Sequence, residues 1–186
     1  MPITEVRYES ARMINDLPID EKIKANLISK GYIKPTEIQD KTLESILSGA
    51  DLMGIAQTGT GKTGAYLIPV IHKLISTNPA FQILVVVPTR ELAVQVEHEF
   101  KSITKGFSMH SACFIGGTSV RKDIERLRMP AHVVIGTPGR LTDLARQGAL
   151  NFSRFTTLIL DEFDRLLDMG FSKDIQFIVQ AMRTRK

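Results

Sequence analysis

Eight residues, Ala56-Gln57-Thr58-Gly59-Thr60-Gly61-Lys62-Thr63, restrict this chain more than any other segment. They follow the apolar stretch Leu52 to Ile55 and precede the helical pattern Ala65, Leu67, Ile68, Ile71, Leu74, Ile75. A strand that enters a glycine-bearing loop and leaves as a helix aims several backbone N–H groups at one point, where the helix dipole also favours negative charge. That point accepts phosphate. Gly59 and Gly61 let the backbone approach the oxygens, Lys62 reaches the outer phosphates, and the Thr63 hydroxyl suits magnesium. Ala56 stands where the general pattern opens with glycine, and Pro69 is predicted to bend the helix or restrict its first turns.

A second segment complements the first. Leu158-Ile159-Leu160 runs into Asp161-Glu162-Phe163-Asp164, which delivers two acids to the carboxyl end of a strand, the edge where open α/β sheets bind ligands. Asp161 suits magnesium held through water, and Glu162 suits orienting or deprotonating an attacking water in phosphoryl transfer. A helix N-terminus carrying acids would look similar in isolation. With both segments in this order, magnesium-dependent nucleotide hydrolysis is the reading, with Lys62, Asp161 and Glu162 as the catalytic candidates.

The chain has 186 residues, 43% of them apolar and 24% charged, enough for one well-buried domain. Apolar runs at Leu52–Ala56, Ile83–Val87, Ser111–Ile115, Val133–Ile135 and Leu158–Leu160 read as buried parallel strands. Helical faces lie between them: Leu92, Val96, Phe100 and Ile103; Val120, Ile124 and Leu127; Ile175, Ile178, Val179 and Met182. Two helical stretches precede the first strand, separated by Gly31-Tyr32-Ile33-Lys34-Pro35, and residues 1–12 read as a tail. The net charge of +4 gives no large field, so affinity for a polyanion rests on local placement of Arg and Lys. Cys113 is the only cysteine and is predicted to be a buried, inert thiol. No apolar stretch is long enough to span a bilayer, which with the lone cysteine predicts a cytoplasmic protein without membrane contact, and no obligate oligomer is implied.

In order along the chain stand Gln39, AQTGTGKT at 56–63, PTRELA at 88–93, Gly116-Gly117, TPGR at 137–140 and DEFD at 161–164. This set resembles the first RecA-like domain of the DEAD-box RNA helicases. The resemblance implies a RecA-like P-loop α/β fold, a three-layer sandwich with a mostly parallel central sheet. Residues 13–47 would form N-terminal helices, residues 51–182 the α/β core, and the whole of 1–186 the N-terminal helicase ATP-binding domain. It implies ATP and Mg2+ as cofactors, with Thr63 and Asp161 on the metal. Gln39 would read adenine, as an amide able to donate and accept on the base edge, and Tyr32 would stack on the base. Thr36 to Gln39 also forms a capping box in sequence, so the two roles of Gln39 can coexist.

The remaining matches imply RNA held by its backbone without sequence preference: Pro88, Thr89, Arg90, then Gly116 and Gly117, then Thr137, Pro138, Gly139 and Arg140. Each segment reads on its own as a turn or cap that presents N–H groups or an arginine to phosphate. Two positions depart from the family pattern. Phe163 replaces the usual alanine and is predicted to need an apolar slot beside the site, and Ile14 replaces an upstream aromatic. The family continues into another strand and a second, C-terminal RecA-like domain that supplies arginines to the phosphates. The chain stops at Arg183-Thr184-Arg185-Lys186, which reads as truncation before that strand. The alternatives are a non-catalytic nucleotide- or RNA-binding piece and a P-loop ATPase acting on DNA or protein.

Overall fold

The structure, a computed structural model, describes residues 10–57, 59–76 and 83–182. Thr58 and Arg183–Lys186, named above, lie outside them. The described residues group into two compact units, one running to Ser76 and taking in Ile103–Lys105, the other holding the rest.

The first unit is helical: α1 (Glu21–Ser29), α2 (Glu37–Ser48) and α3 (Lys62–Ser76). Asp20 caps α1, its side chain accepting from the Lys22 and Ile23 N–H groups, and α2 ends at Gly49 in the left-handed conformation. Buried Ile23, Leu27, Leu43, Leu67, Ile68 and Ile71 occupy the inward positions of these helices. Helix α3 continues through buried Pro69, which lies mid-helix rather than in its first turns. The tail expected over residues 1–12 is tied down where it can be described. Ser10 Oγ donates to Asp40 at 2.7 Å, and Arg12 donates from Nε to Asp40 and from Nη1 to Glu44, each at 2.8 Å. Ile14, in the family's aromatic position, is fully buried. Asn26 Nδ2 donates to the Ile103 and Lys105 carbonyls at 2.7 and 2.9 Å, which explains why that short stretch belongs to this unit.

The expected strand Leu52–Ala56 does not form. Residues 51–57 carry no strand hydrogen bonding, and Leu52, Met53 and Ile55 are 48%, 82% and 90% exposed. An apolar run becomes a parallel strand only when a neighbour pairs its backbone, and no described strand pairs with this one.

The second unit contains four strands: β1 (Ile83–Val86), β2 (Ser111–Phe114), β3 (Val133–Gly136) and β4 (Thr157–Leu160). They form one parallel sheet in the order β2-β3-β1-β4. Strands β1 and β3 are fully buried, as near-continuous Val and Ile runs require, whereas β4 at the sheet's end is only part-buried. The helices are α4 (Arg90–Ile103), α5 (Val120–Arg126), α6 (Pro138–Arg146), α7 (Phe163–Asp168) and α8 (Ser172–Ala181). The core joins Leu84, Val86, Phe114 and Val134 of the sheet to Leu141, Leu144, Phe152, Phe155, Ile175 and Ile178. Cys113 is half-buried, and burial pushes its thiol up to about 11, so it is protonated and unreactive near neutrality.

At the amino end of the sheet two histidines join β2 to β3. The His110 N–H donates to His132 Nδ1 at 3.1 Å, and the His132 N–H returns to the His110 carbonyl at 2.9 Å. Burial and then the neighbouring His110 hold His132 below the ordinary histidine value. A histidine whose folded value is depressed binds protons more readily when unfolded. The stability it supports is therefore present above its unfolded value of about 6.5 and lost as pH falls through that value toward the folded one. Thermal melts should fall as pH drops from about 7 to about 5, and less steeply in a His132→Asn variant. Equal slopes would show that acid acts elsewhere.

Candidate functional site

The cradle begins where the chain turns into α3. Gly59 and Gly61 have φ of +83° and +91°, the left-handed conformation that lets the loop fold under the helix start. The first N–H groups of α3, from Lys62 onward, have no intrahelical acceptor and form the positive end of the helix dipole. Thr60 Oγ1 donates to the Gln57 carbonyl at 2.6 Å and closes the loop on itself.

Gln39 is built into this cradle. Its Oε1 accepts from the Thr36 N–H at 3.1 Å, which is the capping-box bond, and its Nε2 donates to the Gly61 carbonyl at 3.1 Å. A Cβ on Gly61 or Gly64 would come within 2.6 or 2.7 Å of Nε2, so both glycines are notches for this amide. The requirement at Gly64 is invisible in sequence, because the residue that fills the notch lies 25 positions earlier. An amide has two N–H donors and two acceptor lone pairs. One of each remains on Gln39 after the cap and the cradle are satisfied. Tyr32 is half-buried, with the Lys30 ammonium 5.6 Å from its ring centroid.

In the second unit every remaining sequence-predicted segment leaves the sheet at one edge. Val86 faces both Gly136 and Leu160, and Phe114 faces Gly136, so the four strands end level. Gly116-Gly117 follows β2, Thr137 to Arg140 follows β3, Pro88 to Arg90 follows β1, and Asp161-Glu162 follows β4. At about 4.8 Å between strands, the row from the glycine pair to the acid pair is roughly 14 Å wide.

The strand ends are each fastened. Thr89 Oγ1 accepts from the Leu92 N–H at 3.2 Å and caps α4. Thr137 is the N-cap of α6 with Pro138 at its first position, as the sequence predicts. The glycine pair has an arginine side chain packed where its side chains would stand. A Cβ on Gly117 would lie 2.5 Å from Arg90 Nη1, so the exposed Arg90 guanidinium rests on the glycines. Arg140 is likewise engaged. Its side chain, 8% exposed, pairs with Asp123 and donates to the Thr118 hydroxyl and carbonyl at 3.1 and 2.9 Å. Sequence reading gave no part to Asp123 or Thr118. Arg121 and Arg126 pair with Glu125 and Glu97, as on a solvated helix face.

Asp161 is buried, its N–H donating to the Val86 carbonyl at 3.0 Å, and its Oδ1 accepts from the Glu162 N–H at 2.9 Å. Glu162 has φ 49° and ψ 51°, and it alone among the described non-glycine residues has positive φ. Such a backbone costs about 1–3 kcal/mol and persists where its surroundings demand it. Arg165 Nη1 lies 3.1 Å from Glu162 Oε2, an i,i+3 pair whose spacing is visible in the sequence. The slot predicted for Phe163 is absent: the ring is 42% exposed, because α7 turns that face outward together with Leu167 and Met169. Among the described residues no cluster of three or more His, Cys, Asp or Glu side chains forms an all-protein metal cage, and no helix is long and apolar enough to cross a membrane.

Comparison with known proteins matches this arrangement. A family model described as DEAD/DEAH box helicase covers residues 36–186. The chain is 41% identical over 155 residues to the DEAD-box ATP-dependent RNA helicase CshB of Bacillus subtilis, covering 82% of this chain and 35% of that protein. It is 41% identical over 168 residues to the DEAD-box ATP-dependent RNA helicase CshA of Streptococcus pneumoniae, covering 90% and 32%. The crystal structure of a DEAD box protein from Methanococcus jannaschii superposes with a TM-score of 0.86 at 34% identity, over 94% of this chain and 48% of that one. The chain therefore spans about a third of the length of these curated relatives. The P-loop cradle, the level row of strand ends and the matches over residues 36–186 converge on one assignment: the chain belongs to the DEAD/DEAH box helicase family.

Proposed function

We propose that the chain is the ATP- and RNA-binding N-terminal domain of an ATP-dependent RNA helicase. The observation that carries this reading is the level row at the carboxyl ends of β2, β3, β1 and β4, where three backbone-binding segments stand beside the acid pair. Catalysis of phosphoryl transfer is positioning plus electrostatics, and this row supplies both kinds of group.

The roles follow from chemistry. Ala56 to Thr63 cradle the triphosphate, with Lys62 on its outer phosphates. The remaining donor and acceptor of Gln39 match the amino group and ring nitrogen on adenine's edge, and Tyr32 offers a face to the base. Magnesium is a hard cation that takes one or two protein oxygens and fills its shell with water and phosphate. The Thr63 hydroxyl and Asp161 carboxylate are oxygens of that kind, and the bound ion would neutralise phosphate charge. Glu162 positions the attacking water and takes its proton, its backbone conformation aiming the carboxylate. Pro88 to Arg90, Gly116, Gly117 and Thr137 to Arg140 hold RNA by its backbone. A cytoplasmic setting is part of this proposal, in keeping with a sequence whose one cysteine can form no disulfide within it.

The second RecA-like domain of the family would supply the arginines that complete the phosphate site. Such arginines contribute on the order of a thousandfold or more in related phosphoryl transfers. The 186 residues alone should therefore bind ATP weakly and hydrolyse it near background, with or without RNA. In the full-length protein, Lys62→Ala should weaken both nucleotide binding and turnover, while Glu162→Gln should keep ATP binding and abolish hydrolysis. Equal loss of ATP binding in both, read by equilibrium titration, would show that Glu162 only supports the fold. Phe163→Ala should leave turnover close to that of the parent, since the ring is exposed.

A further inference from the structure

Helix α5 buries the wrong residue for an ordinary amphipathic helix. Its apolar positions Val120 and Ile124 are only part-buried, and the one residue it buries fully is Asp123, 7% exposed. A buried carboxylate needs a partner. Asp123 Oδ2 pairs with Arg140 Nη1 and accepts from Thr118 Oγ1 at 3.2 Å. Arg140 in turn uses both Nη1 hydrogens on Thr118 and Asp123 and one Nη2 hydrogen on the Thr118 carbonyl. Of its five N–H donors, Nε–H and one on Nη2 have no acceptor among the described residues, two donors left for phosphate oxygens.

The two arginines packed against Gly116, Gly117 and Thr118 are therefore different instruments. Arg90 is exposed and rests on Gly116-Gly117 with no carboxylate paired to it among the described residues, whereas the Arg140 side chain is buried and its charge is cancelled by Asp123. We propose that Asp123 is a positioning residue for RNA-backbone binding: it holds the Arg140 fork in one orientation and neutralises it. Arg140 then contributes geometry, and Arg90 contributes the charge that RNA binding counts. This rests on the RNA-binding reading given above.

The salt dependence of binding separates charge from shape. For a polyuridine strand, log K falls against log salt with about 0.7 of slope per phosphate neutralised. In the full-length protein Arg90→Gln should flatten the slope by about 0.7. Asp123→Asn keeps the shape but uncovers the Arg140 charge, so it should steepen the slope by a similar amount while lowering affinity at high salt several-fold. Asp123→Glu, the variant to use should Asp123→Asn fail to fold, keeps the charge but pushes the fork aside, and should lose affinity with an unchanged slope. A slope that stays fixed in Asp123→Asn, with only the melting temperature lowered, overturns the proposal and leaves Asp123 a structural residue. So does parental affinity in a folded Asp123→Glu. If the parent protein shows no salt-sensitive RNA binding, the RNA reading falls and takes this proposal with it.

Discussion

Strand β1 lies between β3 and β4 in parallel register, and the placement of the second unit's functional groups depends on that pairing. Val86 stands level with Gly136 and Leu160, so the chain leaves three strands at the same height, and β2 joins them through Phe114. Side chains alternate faces along a strand, so a slip of one residue in β4 would turn Leu158 and Leu160 out of the core. The same slip would carry Asp161 away from the Val86 carbonyl that now fixes it. Hydrophobic burial thus sets the register, and the register sets where the acids and arginines emerge.

The first unit achieves its precision differently, through one amide. Gln39 satisfies the cap of α2 and the cradle carbonyl at once, so the helix that carries it and the loop that would hold phosphate are referenced to each other. Arg12 fastens the same helix from the opposite side of the sequence, through Asp40 and Glu44. Small residues at Gly61 and Gly64 are required by that amide's bulk as much as by any ligand. A loop fastened at Gly61 in this way has less freedom to lose when a ligand binds.

The parts legible in the sequence were those governed by local rules. Four of five strands, the capping box at Thr36, the proline start of α6 and the helical faces of α4 and α8 all follow from periodicity and caps. The segment Leu52–Ala56 misled because an apolar run reports what a strand would bury and not whether a partner exists to pair it. Asp123 is not legible in the sequence because Val120 and Ile124 suggest an ordinary inward face for α5, while its partner Arg140 lies 17 residues away. For Phe163 the sequence predicts a slot, because large apolar rings are usually covered. The short α7 instead offers that face to solvent.

Glu162 holds a backbone shape that glycine would adopt with less strain. The chain therefore keeps an avoidable instability at the point where β4 meets α7, against a total folding margin of only about 5–15 kcal/mol for proteins in general. Glycine there would relax the turn and remove the carboxylate together. With the role proposed for Glu162, a sturdier domain and a working one would place opposite demands on this single residue, and thermostabilised relatives should find their gains elsewhere.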